Sequence, residues 1–239
     1  MIKNNIQDEF ISTVSHELRT PLTSIRGFSQ TLLNSWDKIS DDDKKKFIGI
    51  IQEQSNRLIN LVENILSVSK MNAETQIMKK VDVNASVKKV ISLLEDQYKT
   101  HKFIVDFCKN LPPARLDEDK FQQIMTNIID NAAKYSNQDT SITISTKIVN
   151  DVILIKVKDN GVGIKEKDFD KVFEKFTRLE NLLTSKTQGN GLGLYITKQL
   201  VENMNGKIYF SSEENVGTEF CIEFPFYSQE EALKCSQQS

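Results

Sequence analysis

Sixteen residues into the chain, the segment FISTVSHELRTPLTSI sets an imidazole beside a carboxylate, His16-Glu17. The apolar positions around it, Ile6, Phe10, Val14, Leu18, Leu22, Ile25 and Leu32, recur at steps of three and four, with Ser29 the polar gap. That period describes one stripe of an amphipathic helix. At about 100° per residue, His16 falls roughly 160° from the centre of the stripe and faces solvent. Thr20 lies on the same face one turn along, and Pro21 removes a backbone hydrogen bond just past it. A neutral imidazole is a nucleophile near pH 7, and a neighbouring carboxylate can fix its tautomer. A lone exposed histidine also reads as a solvated surface residue, and the local pattern leaves both readings open.

A second concentration of chemistry-bearing residues lies beyond residue 120. In FQQIMTNIIDNAAKYS the stripe Phe121, Ile124, Ile128 and Ala132 predicts a helix with Asn127, Asn131 and Lys134 along one flank. Amide oxygens and an ammonium on the edge of a cleft suit Mg²⁺ and phosphates, although they also suit an ordinary polar face. Asparagine is a weak helix former, so two of them in mid-helix need a reason. Two glycine runs follow: DNGVGI (Asp159 to Ile164) after a strand-like segment, and GNGLGL (Gly189 to Leu194) before a helical one. Either alone is a turn. Together they hold five of the nine glycines, which points to backbone brought close to a ligand, with a helix N-terminus for anions. No GxxxxGK[ST] occurs, so a P-loop is excluded. Residues 173–188 between the runs lack a clean period and read as a lid.

The elements that must position these groups fall into two textures. After the first helix, Trp36 to Asp43 is a polar turn, with Ser40 and the three aspartates after it marking a new helix start. Phe47, Ile51, Leu58, Leu61, Ile65 and Val68 predict that second helix. Two long helices with narrow stripes cannot close a core alone. The expected fold is an antiparallel hairpin forming a dimeric four-helix bundle, hence a homodimer. Beyond Met71, ITISTKIV and VILIKVKD flank Asn150-Asp151 as one β-hairpin, and GKIYFSS with GTEFCIEFPF form another. With helices at FQQIMTNIIDNAAKYS and LGLYITKQLVENM, this reads as an α/β sandwich with a mostly antiparallel sheet. The expected boundaries are 1–72 for the hairpin, 73–80 for a linker, 81–227 for the sandwich and 228–239 for a disordered tail.

Composition narrows the class. The chain has 239 residues, and 31 basic against 33 acidic side chains leave −2, which argues against a dedicated nucleic-acid binder. Cys108, Cys221 and Cys235 lack CxxC spacing, and the two histidines, His16 and His101, are too far apart for a multi-histidine metal centre. No apolar run approaches the ~20 residues of a membrane span. A cytoplasmic chain without membrane contact of its own is expected, any anchor belonging to a longer parent.

These segments together resemble one family, the sensor histidine kinases of two-component signalling. SHELRTPLTSI looks like the H box, NIIDNAAKYS the N box, DNGVGI the first glycine box, FEKFTRL the F box and GNGLGLYI the second glycine box. All five stand in the family's order, covering roughly residues 6 to 226. The resemblance implies a dimerisation and phosphotransfer hairpin followed by an ATP-binding domain of the Bergerat (GHKL) type. It implies that His16 accepts the γ-phosphoryl of ATP, that Glu17 orients its ring and assists proton removal, and that the phosphoryl then passes to an aspartate of a response regulator. Asn131 would ligate Mg²⁺ with Asn127 in support, and Lys134 would contact phosphate. Tyr135 would lie against the adenine and Asp159 would bond its amino group. Gly161 and Gly163 would shape that floor; Gly189, Gly191 and Gly193 would form the phosphate-side lid. Arg178 would stabilise charge on the transferring group, and Thr20 would complete an E-x-x-T pattern associated with dephosphorylating the regulator. Two alternatives remain: a GHKL ATPase driving a conformational cycle, and a kinase-inactive phosphatase or docking module.

Overall fold

A computed structural model of the chain describes residues 2–70, 77–177, 179 and 190–226. The chain divides into two compact units, the main break falling after Lys70.

The first unit is a helical hairpin. Helix α1 (Ile2–Ser35) runs through Pro21, and α2 (Asp41–Lys70) follows a short 3₁₀ turn at Trp36–Lys38. The start of α2 is set by Ser40, whose Oγ accepts the Asp43 N–H at 3.1 Å and donates to the Asp43 carboxylate at 2.7 Å, with three aspartates in the first turn. The helices run antiparallel, since Glu17 meets Arg57 while Phe28 meets Phe47. Among the described side chains of the hairpin only Pro21, Leu32 and Leu61 are buried. Leu22, expected on the inner stripe, is 53% exposed. Phe28, outside the expected stripe, packs its ring on Phe47 at 5.1 Å. Near Pro21 the period follows the pair of facing helices rather than one ideal stripe.

The second unit is a five-stranded sheet with helices on one face. Its strands are β2 (Lys102–Phe107), β4 (Ser141–Val149), β5 (Val152–Lys158), β6 (Lys207–Glu213) and β7 (Gly217–Pro225), in the order β2-β4-β5-β7-β6. Only the β2–β4 pair is parallel. Both expected hairpins are present, turning at Asn150 and Asn215, whose φ angles of 52° and 62° are tolerated by asparagine. Strand β4 alternates, burying Ile142, Ile144 and Thr146. The face it buries is covered by α3 (Val83–Glu95), α4 (Glu118–Lys134) and α5 (Gly193–Asn203). Val87, Val90, Phe121, Ile124, Ile128, Leu200 and Val201 meet Ile153, Ile155, Ile222 and Phe224 in a sealed core.

Helices α3 and α4 start on aspartate caps, Asp82 accepting from Ala85 and Asp117 from Lys120. A two-stranded ladder of β1 (Lys79–Val81) and β3 (Ala114–Leu116) closes the side. Pattern alone assigns neither helix α3, strand β2 nor this ladder. Strand β1 begins within the expected linker; the first half of that linker (73–76) and the whole expected tail lie outside the described residues.

Candidate functional site

Strand β5 ends by delivering Asp159 to the edge of the helix-covered face. The residue is 5% exposed. Its backbone N–H donates to Thr218 O at 2.9 Å. Oδ1 accepts the N–H groups of Gly161 at 2.9 Å and Thr218 at 3.1 Å. Oδ2 makes no hydrogen bond among the described residues. Burial pushes the carboxyl up to about 6, against the opposing pull of the Gly161 and Thr218 N–H groups. A carboxylate held rigidly by one oxygen presents the other as a directed acceptor.

The glycines after Asp159 are demanded by neighbouring protein atoms. A Cβ on Gly161 would sit 2.2 Å from Tyr135 O, where α4 ends and Val162 N donates to the same carbonyl at 3.1 Å. Gly163 has φ +65°, and a Cβ there would meet Glu213 O at 1.9 Å. The loop is fastened to the β6–β7 turn by Asn215 N to Val162 O (2.8 Å) and Ile164 N to Ser212 Oγ (2.8 Å). Half-buried Tyr135 caps α4 at the rim of this floor.

The polar flank of α4 faces α5. Asn127 Nδ2 donates to the buried hydroxyl of Thr197 at 2.7 Å, and a Cβ on Gly193 would lie 2.4 Å from Asn127 Oδ1. Asn127 therefore ties α4 to the first turn of α5, which begins at Leu192 without a side-chain cap. The Asn131 amide is half-buried and makes no hydrogen bond among the described residues. Lys134 Nζ reaches Asp130 Oδ2 at 2.5 Å. Gly191, at φ +67°, lets the chain pass the backbone of Phe176 and Thr177. Arg178 and Gly189 lie outside the described residues.

On the hairpin, His16 is exposed, as the helical period requires. Glu17 is bonded across to Arg57 on α2 at 3.2 Å, and both side chains are about three-quarters covered. Thr20 is exposed, with its hydroxyl donating to His16 O at 3.3 Å. The structure thus gathers Asn127, Asn131, Lys134, Tyr135, Asp159, Gly161, Gly163 and Gly193 about the α4–α5 side of the sheet. His16, Glu17 and Thr20 share one stretch of α1.

Sequence reasoning missed four partners. Arg57, Thr197 and Asp130 fix Glu17, Asn127 and Lys134. Thr218 closes the Asp159 carboxylate, beside Gly217, where a Cβ would strike Asp159 O at 2.2 Å. Only Gly217-Thr218 left a trace, a glycine opening a strand next to a turn.

Comparison with known proteins agrees with both units. Residues 6–74 match the His Kinase A (phospho-acceptor) domain. Residues 116–228 match the histidine kinase-, DNA gyrase B-, and HSP90-like ATPase domain. The sensor protein kinase WalK of Staphylococcus aureus is 37% identical over 221 residues, 91% of this chain and 53% of the relative. The chain thus spans about half the length of that relative, and 36% of longer versions of it. Among solved structures, the Acinetobacter baumannii histidine kinase AdeS superposes with a TM-score of 0.72 at 24% identity, over 89% of this chain and 98% of its own. Histidine kinase ThkA, solved in complex with response regulator protein TrrA, gives 0.75 at 22%, over 94% and 63%. Full-length ShkA in complex with AMPPNP gives 0.67 at 25%, over 92% and 46%. With a phospho-acceptor hairpin, an ATPase-type domain and a relative at this identity aligned across both, the chain belongs to the sensor histidine kinases of two-component systems.

Proposed function

We propose that this chain transfers the γ-phosphoryl of ATP to His16 and passes it on to an aspartate of a response regulator, acting as a cytoplasmic homodimer. The observation that carries the reading is His16 itself: solvent-facing, inside the segment matched as phospho-acceptor, next to a carboxylate clamped by Arg57. Glu17, the neighbouring carboxylate, orients the imidazole and takes up its proton. The complexes of ThkA with TrrA and of ShkA with AMPPNP support the two partners assigned here, a receiver domain and an adenine nucleotide. Sparse burial in the hairpin supports dimerisation.

In the nucleotide domain, Asp159 accepts a hydrogen bond from the adenine amino group and Tyr135 lies against the ring. Gly161 and Gly163 hold the loop that carries Asp159. Lys134 and the start of α5 at Gly191 and Gly193 meet the phosphates, with Gly189 and Arg178 completing that side. A Mg²⁺ ion fits the donor set: the free Asn131 amide is a hard oxygen ligand, and phosphate oxygens with water fill the remaining positions, as this cation prefers. Bound there it neutralises phosphate charge. Asn127 supports Asn131 by keeping α4 and α5 in register. Thr20, on the face of His16, activates water against the regulator's aspartyl phosphate, making the enzyme bifunctional.

The test is incubation with γ-labelled ATP. Acid-labile label that disappears in His16→Gln, with ATP binding retained, is expected. Released phosphate without protein label would point to an ATPase cycle instead, and absence of both to a phosphatase or docking module.

A further inference from the structure

Lys134 does not stand alone on the flank of α4. At about 100° per residue, Asn127, Asp130, Asn131 and Lys134 fall within roughly 100° of arc, so Asp130 is a fourth member of the polar group. Its carboxylate is divided between two donors. Oδ2 takes Lys134 Nζ at 2.5 Å, and Oδ1 takes the phenol of Tyr98, also at 2.5 Å. Tyr98 comes from the turn that ends α3, where the N–H groups of Gln97 and Tyr98 both donate to Leu94 O, at 3.1 and 2.9 Å. The ring is fixed from the other side by His101. The two rings stand edge to face with centroids 5.9 Å apart, and His101 N donates to Tyr98 O at 2.9 Å. Burial and the adjacent carboxylate raise the phenol well above its ordinary value, so it remains a donor throughout the physiological range.

We propose that Tyr98 is a positioning residue for nucleotide binding: through Asp130 it sets where the Lys134 ammonium points. The inference rests on the reading of Lys134 as a phosphate contact. A carboxylate on a short side chain turns readily about its last torsion and can close on an ammonium with both oxygens. The Tyr98 hydroxyl claims one oxygen and fixes the plane, so Lys134 is anchored through a single oxygen. An ammonium has three donors, and one spent on Asp130 leaves two for phosphate oxygens. Without the hydroxyl the carboxylate is free to swing toward Lys134, drawing the charge back from the cleft. If the contact merely tied the α3 turn to α4, its loss would lower stability without discriminating among nucleotides.

Tyr98→Phe, which keeps the ring and its His101 contact, Lys134→Ala and the double variant separate these cases in the whole chain. Dissociation constants for ATP and adenosine are measured by calorimetry beside the melting temperature. Tyr98→Phe is expected to weaken ATP about three- to tenfold, the scale of one ordinary hydrogen bond and less than the full loss of one to a charged group because the effect reaches the phosphates only through Asp130, with adenosine unchanged. Added to Lys134→Ala, it should weaken ATP no further. Equal losses for ATP and adenosine, or the full loss persisting without Lys134, would overturn the positioning role. Unchanged ATP affinity in Tyr98→Phe alongside a clear loss in Lys134→Ala would overturn it too, leaving the phosphate contact intact. Unchanged affinity in Lys134→Ala would overturn both.

Discussion

Replacing Asp159 by asparagine sets stability against binding at a single atom. Oδ1 holds the two backbone N–H groups, and the carbonyl of the replacement amide can hold them in the same way. The change falls on Oδ2, where an acceptor becomes an NH₂ donor. In the ligand-free protein, the rise from 3.8 to about 6 means that folding opposes the charged form by up to ~3 kcal/mol. The folded value lies above the unfolded one. The penalty is therefore complete above pH 6, shrinks as pH falls through 6, and is gone below about 4. The neutral amide carries no such penalty. Asp159→Asn should melt a few degrees higher than wild type at pH 8, and the gap should close by about pH 4.5.

Binding should move the other way. An adenine amino group that meets a donor in place of a carboxylate loses a charge-assisted hydrogen bond, about 1.5–3 kcal/mol, or roughly ten- to 150-fold in Kd. Inosine triphosphate, with a carbonyl where ATP has the amino group, should lose little or gain. Calorimetric titration of both nucleotides at pH 8, beside the melting curves, tests the pair of effects. An unchanged ratio of ATP to inosine triphosphate affinity would refute the adenine contact. A variant that melts lower at pH 8 would refute the claim that desolvation dominates at this carboxylate.

Three further outcomes follow from the same geometry. Gly193→Ala should weaken ATP binding at least tenfold while the domain stays folded, because its Cβ would meet Asn127 Oδ1 at 2.4 Å and push α5 from α4; ATP titration with circular dichroism checks this. Arg57→Ala, which frees Glu17 from its 3.2 Å bond, should slow labelling of His16 several-fold at saturating ATP without changing ATP affinity, as single-turnover assays would show. Thr20→Ala should preserve labelling and transfer but slow loss of phosphate from a phosphorylated regulator. Its bond to His16 O is a weak 3.3 Å, so helix content should be unchanged by circular dichroism.

What the sequence made legible is local. Alternation with Asn150-Asp151 specified one hairpin, and the three- and four-residue period placed His16 in solvent. The glycine runs announced close approach without saying by what. In the structure the approaching atoms are Tyr135 O at Gly161, Glu213 O at Gly163 and Asn127 Oδ1 at Gly193. Part of the space beside these glycines is thus taken by the protein's own atoms. The residues that hold the site were illegible because their partners are distant in sequence: Tyr98 and Asp130 are 32 residues apart, Glu17 and Arg57 40, Asp159 and Thr218 59, Asn127 and Thr197 70. No period or motif within one element encodes such a pair. Helix α3 has an apolar spacing of its own at Val83, Val87, Val90, Ile91 and Leu94, but carries no chemistry-bearing motif.

The two units differ in how they reach stability, and the difference bears on the chemistry. The α/β unit seals a core of fully buried Phe, Ile and Met side chains and needs no partner to do so. The hairpin leaves Leu22, Leu33, Ile48, Ile59, Val62 and Leu66 each at least 45% exposed. Full burial of one such side chain contributes about 1.5–3 kcal/mol, so even a few of them outweigh the one inter-helix ion pair described, Glu17–Arg57. In the proposed homodimer the stripe that carries them finds its cover in a second copy. Order in α1 then depends on association, and so does the fixed display of His16 beside Glu17. Nucleotide binding, resting on the self-sufficient unit, should survive dissociation, whereas phosphoryl acceptance should not.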